Sequence, residues 1–330
     1  MFENHKKNQH FISVAEQRLN ASNTGVAGRD KAKIFSFEVV DRAKHIIKLT
    51  AQGEIKAVKN LYFIDLYTFE LISLRDRANL EDLFTRIEQH ASISTNEILD
   101  NSSFKFEHFM NVFKLKLLNV FRNPYCISFT LLCFDNLINM EPVDNNLNKY
   151  FSKIDTHNYP VDMMQSFGVS EHDYKKWLKV IFLLTVPIKK DWYLLDEIAN
   201  NFFTSKESYH QINLFTYTNQ NCLLSDRSFI NLTPLSNFKN DLFLGFNLRK
   251  DAFMYIHFIR EDLGNLIKEM YGADGDNIVK RLNEAGIKKL QKGMQINKTV
   301  DNYEALKAYN RHVIFQCHKN IFSANSSVLV

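Results

Sequence analysis

The sequence predicts an α+β protein, on three observations. Strand-like and helix-like runs come in blocks, in the order strands, helices, strands, helices, and do not alternate as a βαβ fold would. Residues from about 104 to 203 carry almost unbroken helical periodicity. Residues from about 209 to 259 are short Phe-rich or β-branched runs broken by Asn, Asp, Ser and Gly, the texture of an antiparallel sheet. The expected arrangement is one domain over residues 1–330. Its sheet is built from an N-terminal hairpin and residues 209–259, with the helical middle, about 104–203, inserted between them.

In chain order, "SNTGVAGRDKAK" at residues 22–33 has no periodicity and predicts a loop. "IFSFEVV" and "HIIKLT", joined by "DRAK", predict the hairpin. Leu80, Leu83, Phe84 and Ile87 recur at spacings of 3 and 4, which predicts a helix with Glu81, Asp82, Arg86 and Glu88 on its flanks or far side. "FKFEHFMNVFKLKLLNVF" predicts a helix closed by Arg122-Asn123-Pro124, because proline disfavours the helical state in the residue before it. Ser170 with Asp173 opens the next strong helix in the manner of a capping box, and "DWYLLDEIANNFF" supplies another. "EDLGNLIKEMY", "DGDNIVKRLNEAGIKKLQKG" and "DNYEALKAYNRHVIFQCHKNIFS" return to helical periodicity.

Composition narrows the function classes. A chain that is 45% hydrophobic and 24% charged can bury a core, and its 28 Phe need no hydrogen-bond partner when buried. Lys+Arg exceed Asp+Glu by 41 to 37, a weak lean toward anionic partners and far from the basic face of a dedicated DNA binder. Cys126, Cys133, Cys222 and Cys317 are widely spaced, which predicts reduced core thiols in a cytoplasmic protein and argues against structural zinc. The opening "MFENHKKNQH" is charged and unlike a secretory signal, and no apolar run nears the roughly 18 residues that span a bilayer, so no membrane partner is expected. Walker loops, G-x-G-x-x-G, G-x-S-x-G and H-E-x-x-H are all missing, which leaves no nucleotide loop or organic cofactor motif. "GADGDN" at 272–277 lacks the alternating acids of a calcium loop and predicts a capping turn, while the basic face of "KRLNEAGIKKLQKG" is either solvated or a phosphate contact.

Several short segments stand out by position. They are "QHFISVAEQRL" with His10, the acidic helix with Glu81 and Glu88, Arg122-x-Pro124, the strand and turn "NCLLSDRSFI" with Ser225 and Asp226, Pro234 to Ser236, and the last helix with its lone Asn310. In this order they resemble a bacterial family of unknown function, the one numbered four-two-three-eight. Its members open with a His-Tyr-x-Pro-Gln-x-Tyr-Leu-like segment and carry a Ser-Asp-Asn-Pro-like turn. Here Ser13 stands in the place of the proline, and Arg227 and Ser228 follow Asp226. The resemblance implies a single-domain α+β fold in a bacterial or phage-associated cytoplasmic protein and brings no reaction with it.

Each of these residues has a chemical and a structural role to weigh. An aspartate just after an apolar strand suits a metal ligand or general base, yet Ser225-Asp226 is equally an ordinary turn former. Glu81 and Glu88 lie two helical turns apart and share a face. With Asp226 they would offer Mg²⁺ or Mn²⁺ the oxygen ligands such hard cations prefer, or else they pair with Arg86 and its neighbours. Arg122 either complements a helix dipole or points its fork at a phosphate. Asn310, amid apolar residues, needs partners, which the His10 segment or a ligand could supply. Two functions follow. One is a metal-dependent phosphodiesterase or nuclease acting on nucleic acid or nucleotides, a toxin or anti-phage effector. In it His10 and Asp226 are catalytic, Arg122, Ser225 and Asn310 hold substrate, and Glu81, Glu88 and Asp226 bind metal. The other is a non-catalytic ligand- or protein-binding module in which the same residues brace sheet against helices.

Overall fold

Ser13 begins the first helix, because its hydroxyl accepts the Glu16 amide and so satisfies one of the N–H groups a helix start leaves open. The computed structural model that shows this describes residues 2–26, 28, 30–72, 76–101, 105–189, 191–204, 209–236, 241–259, 277, 280 and 296–330. Before and after that helix come β1 (Glu3–Asn4), β2 (Asn8–His10), α1 (Val14–Leu19), β3 (Lys33–Asp41) and β4 (Ile46–Lys56). They are followed by β5 (Tyr62–Ile64), β6 (Thr68–Leu71) and β7 (Arg77–Asn79). The stretch after His10 is thus a short capped helix.

Next come α2 (Glu81–Asp100), α3 (Phe106–Phe121), α4 (Ile127–Cys133), α5 (Asn145–Thr156), α6 (Val161–Phe167) and α7 (Glu171–Thr185). The short strands β8 (Pro187–Lys189) and β9 (Trp192–Tyr193) pair before α8 (Leu194–Thr204). Ser170 accepts the Asp173 amide at the start of α7, as the capping pattern predicts. Trp177, Leu178, Val180, Ile181, Phe182 and Leu184 are all fully buried, which makes α7 the central helix. Its rings are anchored at their polar tips: Trp177 Nε1 donates to the Phe121 carbonyl at 2.7 Å, and Tyr174 Oη to that of Leu66 at 2.5 Å.

The last third supplies β10 (Tyr209–Thr216), β11 (Leu224–Ser225), β12 (Ile230–Asn231), β13 (Asp241–Arg249), β14 (Ala252–Ile259), β15 (Ile296–Val300), α9 (Tyr303–Gln316) and β16 (Asn320–Ser323). The α+β class is borne out, with one refinement in how the strands are shared. The larger sheet has the order β12-β13-β14-β10-β15, and β15 runs parallel to β10, pairing Ile212 with Ile296, so this sheet is mixed. The β3–β4 hairpin lies in a second sheet, β11-β16-β3-β4, reached through the chain's last strand, where Phe37 pairs with Ile321. "KNIFS", which continues a helical stretch in the sequence, is that strand. Its helix ends at Gln316, Cys317 turning to extended backbone, and the Arg42 guanidinium takes the open last-turn carbonyl of Phe315 at 3.0 Å and those of Cys317 and His318, both at 2.6 Å. The helical stretch read at 261–271 falls outside the described residues, and the turn at 272–277 and the basic face at 280–293 fall almost wholly outside them.

Among the described residues no helix is long and apolar enough to cross a membrane. Cys126, Cys222 and Cys317 are free and buried as expected, but Cys133 is free and exposed. Burial also sets a pH dependence, since it lowers the pKa of His157, His210, His312 and His318 below the ordinary histidine value. Below pH about 6.5 the unfolded chain takes up these protons before the folded one does, so stability rises with pH through that window and is lost as pH falls. Urea unfolding at pH 7.5 and at pH 5.5 is expected to show the lower midpoint at the acid pH; equal midpoints would contradict it.

Candidate functional site

Asp226 sits one residue beyond β11 and is 2% exposed. Its Oδ1 accepts the His318 amide at 2.7 Å, and its Oδ2 accepts those of Lys319 at 2.7 Å and Asn320 at 2.8 Å. Burial raises its carboxyl pKa above the usual range, against the pull of those three bonds and of His318. Ser225, also buried, is held in the β11–β16 pair opposite Ile321. Asn310 braces the same region, accepting the Leu223 amide at 3.0 Å and donating to the Leu329 carbonyl at 2.7 Å. His10 belongs elsewhere: it pairs with Tyr62 across β2–β5, and its Nε2 stands 3.3 Å from the Val58 carbonyl.

Arg122 corrects the expectation of a phosphate fork. It is fully buried, lies over the Phe84 ring, and binds Glu88 Oε1 and Asn119 Oδ1, both at 2.8 Å. Burial pulls its pKa down, but Glu88, Tyr67 and Glu81 outweigh that and leave it raised. Glu81 and Glu88 therefore share the neighbourhood of one arginine, and Glu81 Oε2 also stands 3.9 Å from Lys6 Nζ. The expected metal set of Glu81, Glu88 and Asp226 is not assembled: among the described residues no three of His, Cys, Asp or Glu stand together as a metal ligand group. The physical reason is that two of the three carboxylates are committed, Glu88 to a guanidinium and Asp226 to backbone amides. Asp226 does adjoin this region by another route, through the Asn123 amide, which donates to its carbonyl at 2.7 Å.

Around Arg122 runs a buried polar ladder. Lys116, Asn119 and Arg122 follow at intervals of three on α3 and at its end, so they line one face. Glu16 of α1 accepts from both Lys116 and Asn119, and all three are buried. Asn20, one turn beyond Glu16, donates to Asn247 Oδ1 at 2.7 Å, and Asn247 in turn reaches the Leu223 carbonyl at 3.4 Å. The inward face of α1 is thereby fixed to α3, β13 and the segment before β11.

The opposite face of α1 lines a cavity of about 410 Å³. Ala15, Arg18 and Leu19 fall on that face by helical spacing; Ser92 and Asn96 enter from α2, residues 23–26 from the loop, and Arg249, Lys250 and Asp251 from the β13–β14 turn. The turn is held against α1 by the Lys250 amide, which donates to the Leu19 carbonyl at 3.1 Å. Arg249 is neutralised: its Nε binds Asp251 at 2.7 Å and its Nη1 binds Asp100 at 2.8 Å. Among the described residues, neither Arg18 nor Lys250 meets a carboxylate in an ion pair, and Lys250 Nζ rests on the Thr24 hydroxyl at 3.1 Å. Two uncompensated cations thus face a concave space. The sequence alone does not point to them: Arg18 and Lys250 are 232 positions apart in the chain, Arg18 sits in the His10 segment without being singled out there, and Lys250 lies in none of the short segments named. No family model, curated protein or solved structure matches the chain.

Proposed function

We propose that this protein is a non-catalytic ligand-binding module whose ligand is a small anionic molecule held in the cavity between α1, α2 and the β13–β14 turn. One observation carries the proposal: Arg18 and Lys250 line a concave space, and among the described residues neither forms an ion pair with a carboxylate, Asp251 being engaged with Arg249. The volume, about 410 Å³, falls within the roughly 300–1,000 Å³ of small-molecule sites. The ladder behind α1 supports it further, since the buried hydrogen bonds that tie Glu16 and Asn20 to α3 and β13 hold that cavity wall in place before any ligand arrives. The small volume, with its two cations at one end of α1, favours a small ligand over a nucleic acid strand, which needs cations spread along a groove.

The alternative, a Mg²⁺- or Mn²⁺-dependent phosphodiesterase built on His10, Asp226 and a glutamate, has less support because those groups are engaged with different partners. It keeps one clear assay: degradation of RNA, DNA or nucleotides by the parent protein with either metal.

The binding proposal is tested by isothermal titration of the full chain with a panel of phosphate-, sulfate- and carboxylate-bearing small molecules. At least one is expected to bind and to lose affinity by about tenfold or more in Lys250→Gln. A panel in which nothing binds, or binding indifferent to Lys250→Gln and Arg18→Gln, would overturn it.

A further inference from the structure

We infer that the ligand of this cavity is a phosphorylated sugar or polyol and not a nucleotide. This rests on the proposal that the cavity binds an anion, and deepens it by reading the chemistry of the wall. The chain has 28 Phe, 13 Tyr and 2 Trp, yet among the described residues none of them lines the cavity. A nucleobase is ordinarily held by stacking on such rings, worth about 1–3 kcal/mol per base in single-stranded complexes. Here the apolar part of the wall is Ala15, Leu19, Val26 and Ala32, which offer contact to a compact carbon skeleton but no platform for a base.

The polar groups fall into two sets. Arg18, Lys250 and the Thr24 hydroxyl occur where the end of α1 meets the β13–β14 turn. Two cations suit a phosphate monoester, whose charge at neutral pH is about −1.5 to −2. The second set is Asn96 and Asp251, both bound to the guanidinium of Arg249, with Ser92 lining the cavity one turn before Asn96 on α2. Ser92 and Asn96 are four residues apart on α2 and present a hydroxyl and an amide side by side. Asn96 spends its oxygen on Arg249, so its NH₂ remains to donate, while the Asp251 oxygens remain able to accept. Donors and acceptors close together, braced by a fixed guanidinium, match the vicinal hydroxyls of a sugar, each of which donates and accepts.

The test is isothermal titration of the full chain with ribose 5-phosphate, glucose 6-phosphate, glycerol 3-phosphate, inorganic phosphate, free ribose and AMP. At least one of the three phosphorylated sugars or polyols is expected to bind about tenfold or more tighter than both inorganic phosphate and AMP. Ser92→Ala and Asn96→Ala are each expected to weaken that ligand by about three- to tenfold and leave inorganic phosphate unchanged, whereas Lys250→Gln weakens both. AMP binding as tightly as the sugar phosphates would overturn the inference and leave anion binding standing. Inorganic phosphate matching them would do the same, by removing the hydroxyl contacts. No binding of any phosphate would overturn both. Thermal melts of the three variants, all at the cavity rim, confirm that lost affinity is not lost folding.

Discussion

Glu16→Gln is expected to destabilise the protein by about 3–5 kcal/mol, because it leaves the Lys116 ammonium buried without a counter-charge. Glu16 spends both oxygens on α3, one on Lys116 and one on Asn119, and a glutamine would turn an NH₂ toward one of those donors. The double variant Glu16→Leu/Lys116→Met removes both charges at similar volume and is expected to recover part of the loss, the share that comes from the orphaned charge, while the Asn119 amide still lacks the acceptor Glu16 gave it. Urea unfolding of parent, single and double variants checks this, and a single variant within about 1 kcal/mol of the parent would mean that water reaches Lys116. Because α1 also forms one wall of the cavity, Glu16→Gln should weaken ligand binding together with stability.

Asp226→Ala is expected to cost about 2–4 kcal/mol. It strips an acceptor from three backbone N–H groups at once, those of His318, Lys319 and Asn320. These amides form the turn from α9 into β16, the strand that carries the β3–β4 hairpin, so the loss should reach the whole smaller sheet. Hydrogen exchange at residues 35–38 is therefore expected to quicken in the variant. The measurement separates two roles for the residue: a group kept for chemistry is commonly neutral or stabilising to remove. A variant that melts with the parent would restore Asp226 as a candidate catalytic group.

Local rules made much of the fold legible. The Ser170 cap, the Arg122-Asn123-Pro124 stop and the hairpin around "DRAK" each depend on residues within a few positions of one another, and each stands where the pattern places it. Ser13 shows how a local signal is missed. With Glu16 three residues on, it has the spacing of a helix start, but beside a proline-bearing pattern it looks like a departure. The candidate site was less legible. Asp226, Asn310 and Arg122 stood out as polar groups near apolar runs, and they are indeed buried, each hydrogen-bonded to backbone or neighbouring side chains: the signal that marks a catalytic group in a sequence also marks a buried, hydrogen-bonded one.

By itself, the sequence determined the class of the fold, the positions of the long helices α2, α3, α7 and α9, the β3–β4 hairpin and the strands between 209 and 259, because periodicity, capping and turn chemistry act over a few residues. Only the tertiary structure decided that Glu16 meets Lys116, that Asp226 closes on residues 318–320, and that Arg18 shares a cavity with Lys250. Those meetings join residues about 90 to more than 200 positions apart, and they follow from the path of the whole chain, for which no short motif carries the record.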